Sequence, residues 1–165
     1  MNEGSLKLNQ QESLMPYLNV VVSGPTTRAR TIAQGVTERT ARILRKRPEV
    51  TSVSVSFVPA EQWFVGGQSL QELGLATFWL DIAVTDGTNT KEEKGAYLAE
   101  IFSFMTETLG PLHATSYVRV MDVRAEAWGY GGVSQEARAV AAQRTLSRSA
   151  RSEGEGAGAA GDRPR

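Results

Sequence analysis

The feature that most constrains this chain is that its plan is written twice. Val55 and Val120, Val58 and Val123, Trp63 and Trp128, and the pairs Gly66-Gly67 and Gly131-Gly132 are each separated by 65 residues. Leu18 and Leu80, Asn19 and Asp81, Val20 and Ile82, and Val22 and Val84 are separated by 62, so a three-residue insertion reconciles the two halves. Self-similarity at such a period marks a supersecondary unit that buries its core against a second copy of itself.

Each half reads as β-α-β. Tyr17–Ser23 is an apolar, β-branched run of the kind that is covered on both faces or lies in an interface. Gly24-Pro25 breaks it, Thr26 and Thr27 are placed to cap a helix with Ile32, Val36, Ile43 and Leu44 at helical spacing, and Pro48 stops that helix. Residues 51–58 alternate small polar and apolar side chains, the period of a strand with one wet face. Trp63-Phe64-Val65-Gly66-Gly67 predicts a tight reversal or a short extra strand, and residues 68–76 a connector. The second half repeats this with a strand over 77–84, then a capping box at Thr90 and Glu93. Its helix carries Tyr97, Leu98, Ile101, Phe102, Met105 and Leu109 on one face and stops at Gly110-Pro111. A strand over 117–123 and a glycine turn over 125–132 complete it.

Right-handed crossovers put both helices on one face of a four-stranded sheet. The fold class is therefore α/β (α+β), two tandem β-α-β units. The uncovered face is expected to be apolar and to be buried by other copies of the chain. Three segments follow: a disordered leader or start-site misassignment over residues 1–15, a domain over 16–132 with repeats 16–67 and 77–132, and a tail over 133–165. That tail begins with a short helix over 134–145 and is disordered from about Arg148.

Composition narrows the function classes. Eighteen basic side chains balance 18 acidic ones, which gives no overall field for nucleic acid or an anionic membrane. Arg39, Arg42, Arg45, Lys46 and Arg47 read as a solvated helix face. No cysteine is present, so there is neither disulfide nor thiolate chemistry, and a single histidine, His113, builds no metal site. Neither a signal peptide nor a membrane-length apolar run is visible, and the expected location is the cytoplasm.

A proline directly after a methionine, at Met15-Pro16, followed by two β-α-β units and a closing Trp-x-x-Gly-Gly turn, resembles the tautomerase superfamily. The similarity is to the fused, double-length relatives of 4-oxalocrotonate tautomerase (4-OT), and also to macrophage migration inhibitory factor. It runs from Met15 to about Gly132 through MPYLNVVVSG, TSVSVSFVPAEQWFVGG, VTDGTNTKEEK and SYVRVMDVRAEAWGYGG. The resemblance implies a homotrimeric barrel and an N-terminal proline acting as general base in a pocket shared between chains. It implies no cofactor and no metal. The implied chemistry is keto-enol conversion of a small 2-oxo or 2-hydroxy-dienoate acid or a phenylpyruvate-like enol.

On that resemblance Pro16 is the base, provided that it is the mature N-terminus. A free secondary amine has an ordinary pKa of about 8, and an apolar pocket or a nearby cation lowers it. Otherwise it is a proline that starts a strand. Its repeat equivalent is Phe78, so each chain has one such base. Arg119 either grips the substrate carboxylate or is a solvent-facing strand arginine paired with an acid. Tyr117 lines a neighbour's pocket, Arg47 falls where relatives keep a pocket lysine, and Trp63 and Trp128 form an aromatic wall or interface anchors. The paired arginines that dehalogenating and decarboxylating relatives carry at the start of the second unit are replaced by Thr85, Asp86, Gly87 and Thr88. This favours tautomerisation. The alternative is a catalytically silent trimeric scaffold or binding protein of the same fold, with Pro16 blocked by the leader.

Overall fold

In a computed structural model, residues 15–24 and 26–157 are described. They form two compact units, one ending at Val123 and the other beginning at Arg124. Residues 124–132, assigned to the second repeat from sequence, lie in the latter. Most of the leader, residues 1–14, and the tail from 158 lie outside the described residues.

The first unit is built on a four-stranded sheet whose strands lie side by side in the order Ser52–Val58, Tyr17–Ser23, Phe78–Thr85 and Tyr117–Val123. Strand β1 (Tyr17–Ser23) runs through helix α1 (Ala29–Leu44) to β2 (Ser52–Val58). A two-stranded hairpin of β3 (Phe64–Val65) and β4 (Gln68–Ser69) and a short helix α2 (Leu70–Leu73) follow. The plan then recurs as β5 (Phe78–Thr85), α3 (Lys91–Leu109) and β6 (Tyr117–Val123). β1 and β2 are parallel, as are β5 and β6, while β1 and β5 meet antiparallel. An offset of 65 carries Ser52–Val58 onto Tyr117–Val123, so the repeat arithmetic holds residue for residue in these strands.

The two β-α-β halves are related by a pseudo-twofold axis that passes between β1 and β5. Leu18 pairs with Ile82 and Val20 with Leu80, while the equivalents Asn19 and Asp81 face each other across the axis. Leu18, Val20, Val22, Leu80, Ile82 and Val84 are fully buried beneath the two helices, against Ile32, Val36 and Leu44 of α1 and Tyr97, Ile101 and Met105 of α3. Both helices thus cover one face. Gly35 lets them approach closely, because a Cβ there would lie 2.0 Å from Phe104 Cζ. The Tyr97 hydroxyl shares a buried 2.8 Å hydrogen bond with Thr40.

Several local expectations are corrected. Helix α1 begins after a 3-10 turn at Thr26–Arg28, with Arg28 at its N-cap and no side-chain capping bond. It ends at Leu44, well before Pro48, because Arg45 takes a left-handed conformation (φ 54°) that closes the last turn. On α3 Phe104 is buried together with the expected Tyr97, whereas Leu98 and Phe102 are exposed. The supposed connector contains α2, held by a second capping box at Ser69 and Glu72. The uncovered sheet face is mixed, not apolar: Ser52, Ser54, Ser56, Asn19, Asp81 and Arg119 interrupt its aromatic residues.

The unit from Arg124 holds a hairpin of β7 (Gly129–Tyr130) and β8 (Val133–Ser134), offset by 65 from β3 and β4, and then helix α4 (Gln135–Ala157). Helix continues from Arg148 to Ala157, within the stretch for which the sequence predicts disorder. Arg138 pins the helix to the hairpin: its Nη2 donates to the Tyr130 carbonyl at 2.9 Å and its guanidinium lies 3.6 Å from the ring centroid. No helix among the described residues is long and apolar enough to cross a membrane.

Candidate functional site

Pro16 stands immediately ahead of a central strand, its ring buried and its carbonyl accepting from the Ser52 N–H at 3.3 Å. Its register with Leu18 and Val20 puts it on the helix-covered face. Met15 precedes it, so with Met15 attached the Pro16 nitrogen is an amide and holds no basic lone pair.

The same end of the sheet collects the C-terminus of α1, the start of β2, the end of β5 and the start of α3. The left-handed turn at Arg45 directs Lys46 inward, where it is 3% exposed. Lys46 Nζ donates to Thr88 Oγ1 at 2.9 Å, and Thr88 Oγ1 donates to the Thr85 carbonyl at 2.6 Å. Tyr17 pairs with Ala83, and continuing that antiparallel register sets Thr85 beside Met15. Lys46 is thereby tied through two hydrogen bonds to the strand end flanking Pro16.

The two acids near Lys46 are committed elsewhere, Glu93 to Arg45 and Asp122 to Lys94, each at 2.6 Å. Among the described residues no carboxylate pairs with Lys46 itself. Burial, and next the neighbouring Arg45 charge, bring its pKa down from 10.5 to about 8, with Glu93 and Asp122 opposing the shift. Sequence reasoning selected Arg47 as the cation at this end. Arg47 is instead exposed and bound to Glu49 at 2.7 Å. The rest of the basic cluster is also spent in ion pairs, with Arg39 and Arg42 both on Glu100.

Arg119 and Tyr117 lie on the opposite face of the sheet from the Pro16 ring. Asn19, Asp81 and Arg119 share one row across three strands. Pro16 is three residues along and two strands over from Arg119, a Cα separation of about 14 Å at about 3.3 Å per residue and about 4.8 Å per strand. Arg119 grips Asp81 with both arms of its fork, Nε at 2.8 Å and Nη2 at 3.0 Å. Its guanidinium lies 5.6 Å from the Trp79 ring, and that ring is tilted against Tyr117 at 5.0 Å. Burial works against the Asp81 carboxylate, but Arg119 and the Trp79 indole N–H outweigh it and hold its pKa below the ordinary range. Asp81 and Trp79 were not selected from sequence; the signal available was the Asn19–Asp81 equivalence together with the offset from Ser54 to Arg119.

Trp63 follows the far end of β2, away from Pro16, and its carbonyl accepts from the Leu70 N–H at 2.9 Å. Trp128 belongs to the unit that begins at Arg124. One chain therefore brings Pro16 and Lys46 to a common sheet end and joins Tyr117 to Arg119 through Trp79, but does not unite the two groups.

No protein-family model matches the chain, and no curated protein matches it. Solved structures do. One of Pt0534 inactivated by 2-oxo-3-pentynoate is 18% identical, with 73% of this chain and 98% of that chain covered and a TM-score of 0.63. A native fused 4-OT is 21% identical over 73% and 97% of the two chains, with a TM-score of 0.61. A macrophage migration inhibitory factor homologue from Prochlorococcus marinus is 19% identical over 72% and 97%, with a TM-score of 0.59. These likenesses extend across nearly the whole of each relative and define the architecture: the chain has the fold of the tautomerase superfamily.

Proposed function

We propose that the chain is a cofactor-independent keto-enol tautomerase acting on a small 2-oxo or 2-hydroxy-dienoate acid or a phenylpyruvate-like enol, with Pro16 as general base. The observation that carries this reading is the position of Pro16. It opens a central strand with a buried ring, at a sheet end where the cation of Lys46 would lower the pKa of a proline amine. Such an amine takes a proton from carbon or oxygen next to the carbonyl and returns it at the other end of the conjugated system. The reading requires translation from Met15 and removal of that methionine, or equivalent processing, so that the Pro16 nitrogen is a secondary amine.

A homotrimer belongs to the same reading, because fused 4-OT structures of this fold are trimers and Tyr17 and Tyr117, on the sheet face turned away from the two helices, are exposed. In such an assembly Tyr117 and Arg119 of one copy border the Pro16 end of the next, with Trp63 and Trp128 as walls or anchors. N-terminal sequencing of protein from its native host, combined with an enol-to-keto assay, tests the proposal. Pro16 at the N-terminus with activity that disappears in Pro16→Ala is expected, and unchanged activity in that variant would sink the reading. A second reading, with the leader retained, is a silent trimeric scaffold, which predicts Met1 at the N-terminus, no isomerase activity and a trimer in sedimentation.

A further inference from the structure

The three residues that separate the two repeat offsets lie in helix α3. Lys91 at its start is 62 residues on from Ala29 at the start of α1, whereas Leu109 at its end is 65 on from Leu44. Thr108 and Leu109, in this extra length, wall a cleft of about 350 Å³ that Leu70, Leu75 and Arg28 also line. The cleft sits where β5 starts, since Ser23 on its wall donates its N–H to the Thr77 carbonyl at 3.0 Å. The pseudo-twofold makes this the twin of the Pro16 end. Arg28 is the equivalent of Thr90, 62 residues on, and the two stand at the N-caps of their helices. Thr90 spends its side chain on the Glu93 N–H. Arg28 caps nothing and instead donates Nη1 to the Thr108 carbonyl at 2.7 Å, one of the last carbonyls of α3, which have no helical N–H to accept from. Its Nε and Nη2 have no partner among the described residues, so the edge that takes a carboxylate through two parallel N–H bonds is open. Among the described residues no acidic side chain lines the cleft.

We propose that this cleft is a second, non-catalytic ligand site that takes a small carboxylic acid with an aliphatic body. The carboxylate meets the open edge of Arg28, and the aliphatic part meets Leu70, Leu75 and Leu109. The volume falls at the lower end of pockets for organic ligands, about 300 to 1,000 Å³. Phe78 takes the place of Pro16 at this end and is fully buried, and Pro111 on the cleft wall is an internal amide. A bound acid therefore meets no proline amine and is held without proton transfer. The site goes beyond the tautomerase reading, and its residues are in place whether or not Met15 is removed.

The experiment titrates the full chain with hexanoate and with hexanamide, which share an aliphatic body and differ in charge, and follows backbone amide chemical shifts. Hexanoate is expected to move the signals of Ser23, Gln71 and Thr108, and hexanamide to bind about tenfold more weakly. Arg28→Gln should weaken hexanoate about tenfold and leave hexanamide within about twofold. Lys46→Met, at the opposite sheet end, should leave hexanoate within about twofold of wild type. Hexanoate that moves none of these three signals, or that binds folded Arg28→Gln as tightly as wild type, overturns the proposal. If Arg28→Gln does not fold, the wild-type pair decides, and equal affinity for acid and amide overturns it. A chain with no Pro16-dependent activity would still show these shifts, so failure of the tautomerase reading and failure of this proposal are separable.

Discussion

Replacing Lys46 with methionine should stabilise the protein at neutral pH, against the usual direction of a buried substitution. Lys46 is protonated at pH 7 in both states, but its pKa is about 8 in the fold and 10.5 as an ordinary lysine. A difference of that size corresponds to about 3 kcal/mol of unfavourable burial, at about 1.4 kcal/mol per pKa unit. Methionine fills similar volume without the charge and forgoes the hydrogen bond to Thr88, a loss of about 1 kcal/mol. The net expectation is a gain of roughly 2 kcal/mol at pH 7. The sign of the pH dependence follows from the same shift. The unfolded chain binds the proton more tightly, so the penalty is fully present below about pH 8 and fades as pH rises towards 10.5. Urea denaturation of both proteins at pH 7 and pH 10 measures this, since every other titrating group is common to the pair. A Lys46→Met variant that is less stable at pH 7, or whose difference from wild type is the same at both pH values, refutes the reasoning.

Three further outcomes follow from the packing. Gly35→Ala should lower stability by about 1–3 kcal/mol despite the better helix former, because its methyl meets the Phe104 ring; chemical denaturation reads this directly. Thr90→Ala removes the hydroxyl that accepts from the Glu93 N–H at 3.2 Å and should cost about 1 kcal/mol in the same measurement. Arg39→Ala should cost more than Arg42→Ala although both contact Glu100, since only Arg39 also covers the Phe104 ring, at 4.1 Å, and a double-mutant cycle with Phe104→Leu should show the coupling.

The repeat made most of the fold legible before any coordinates. Matching positions in two halves exclude chance periodicity, and the strands, the two-helix layer and both glycine hairpins appear where the offsets put them. What escaped were features set by tertiary context. Arg45 in a left-handed conformation has no sequence mark, since glycine or asparagine ordinarily signals such a C-cap. The displaced turn buries Lys46 and exposes Arg47, a difference between adjacent cations that residue spacing does not mark. Leu98 and Phe102 continue the apolar spacing of α3, yet the close approach permitted by Gly35 turns Phe104 inward. At the candidate site, the residue types at Pro16, Arg119 and Tyr117 were readable, but the partners of Arg119 were not. Strand order decides those, and an antiparallel β1–β5 junction is invisible in a repeat of parallel units. The helical stretch beyond Arg148 was missed because its Gly, Ala and Ser content gives no apolar face to detect.

The account turns on the nitrogen of Pro16. Its most direct test compares two forms of the protein in an enol-to-keto assay with phenylenolpyruvate: one whose N-terminal residue is Pro16, and one that retains the preceding residues through Met15. A free proline amine should catalyse the conversion with a rate that rises with pH through a single ionisation below the ordinary amine value of about 8, while the extended form stays at the background rate. Equal activity in the two forms would show that the chemistry belongs to another group and would contradict the account.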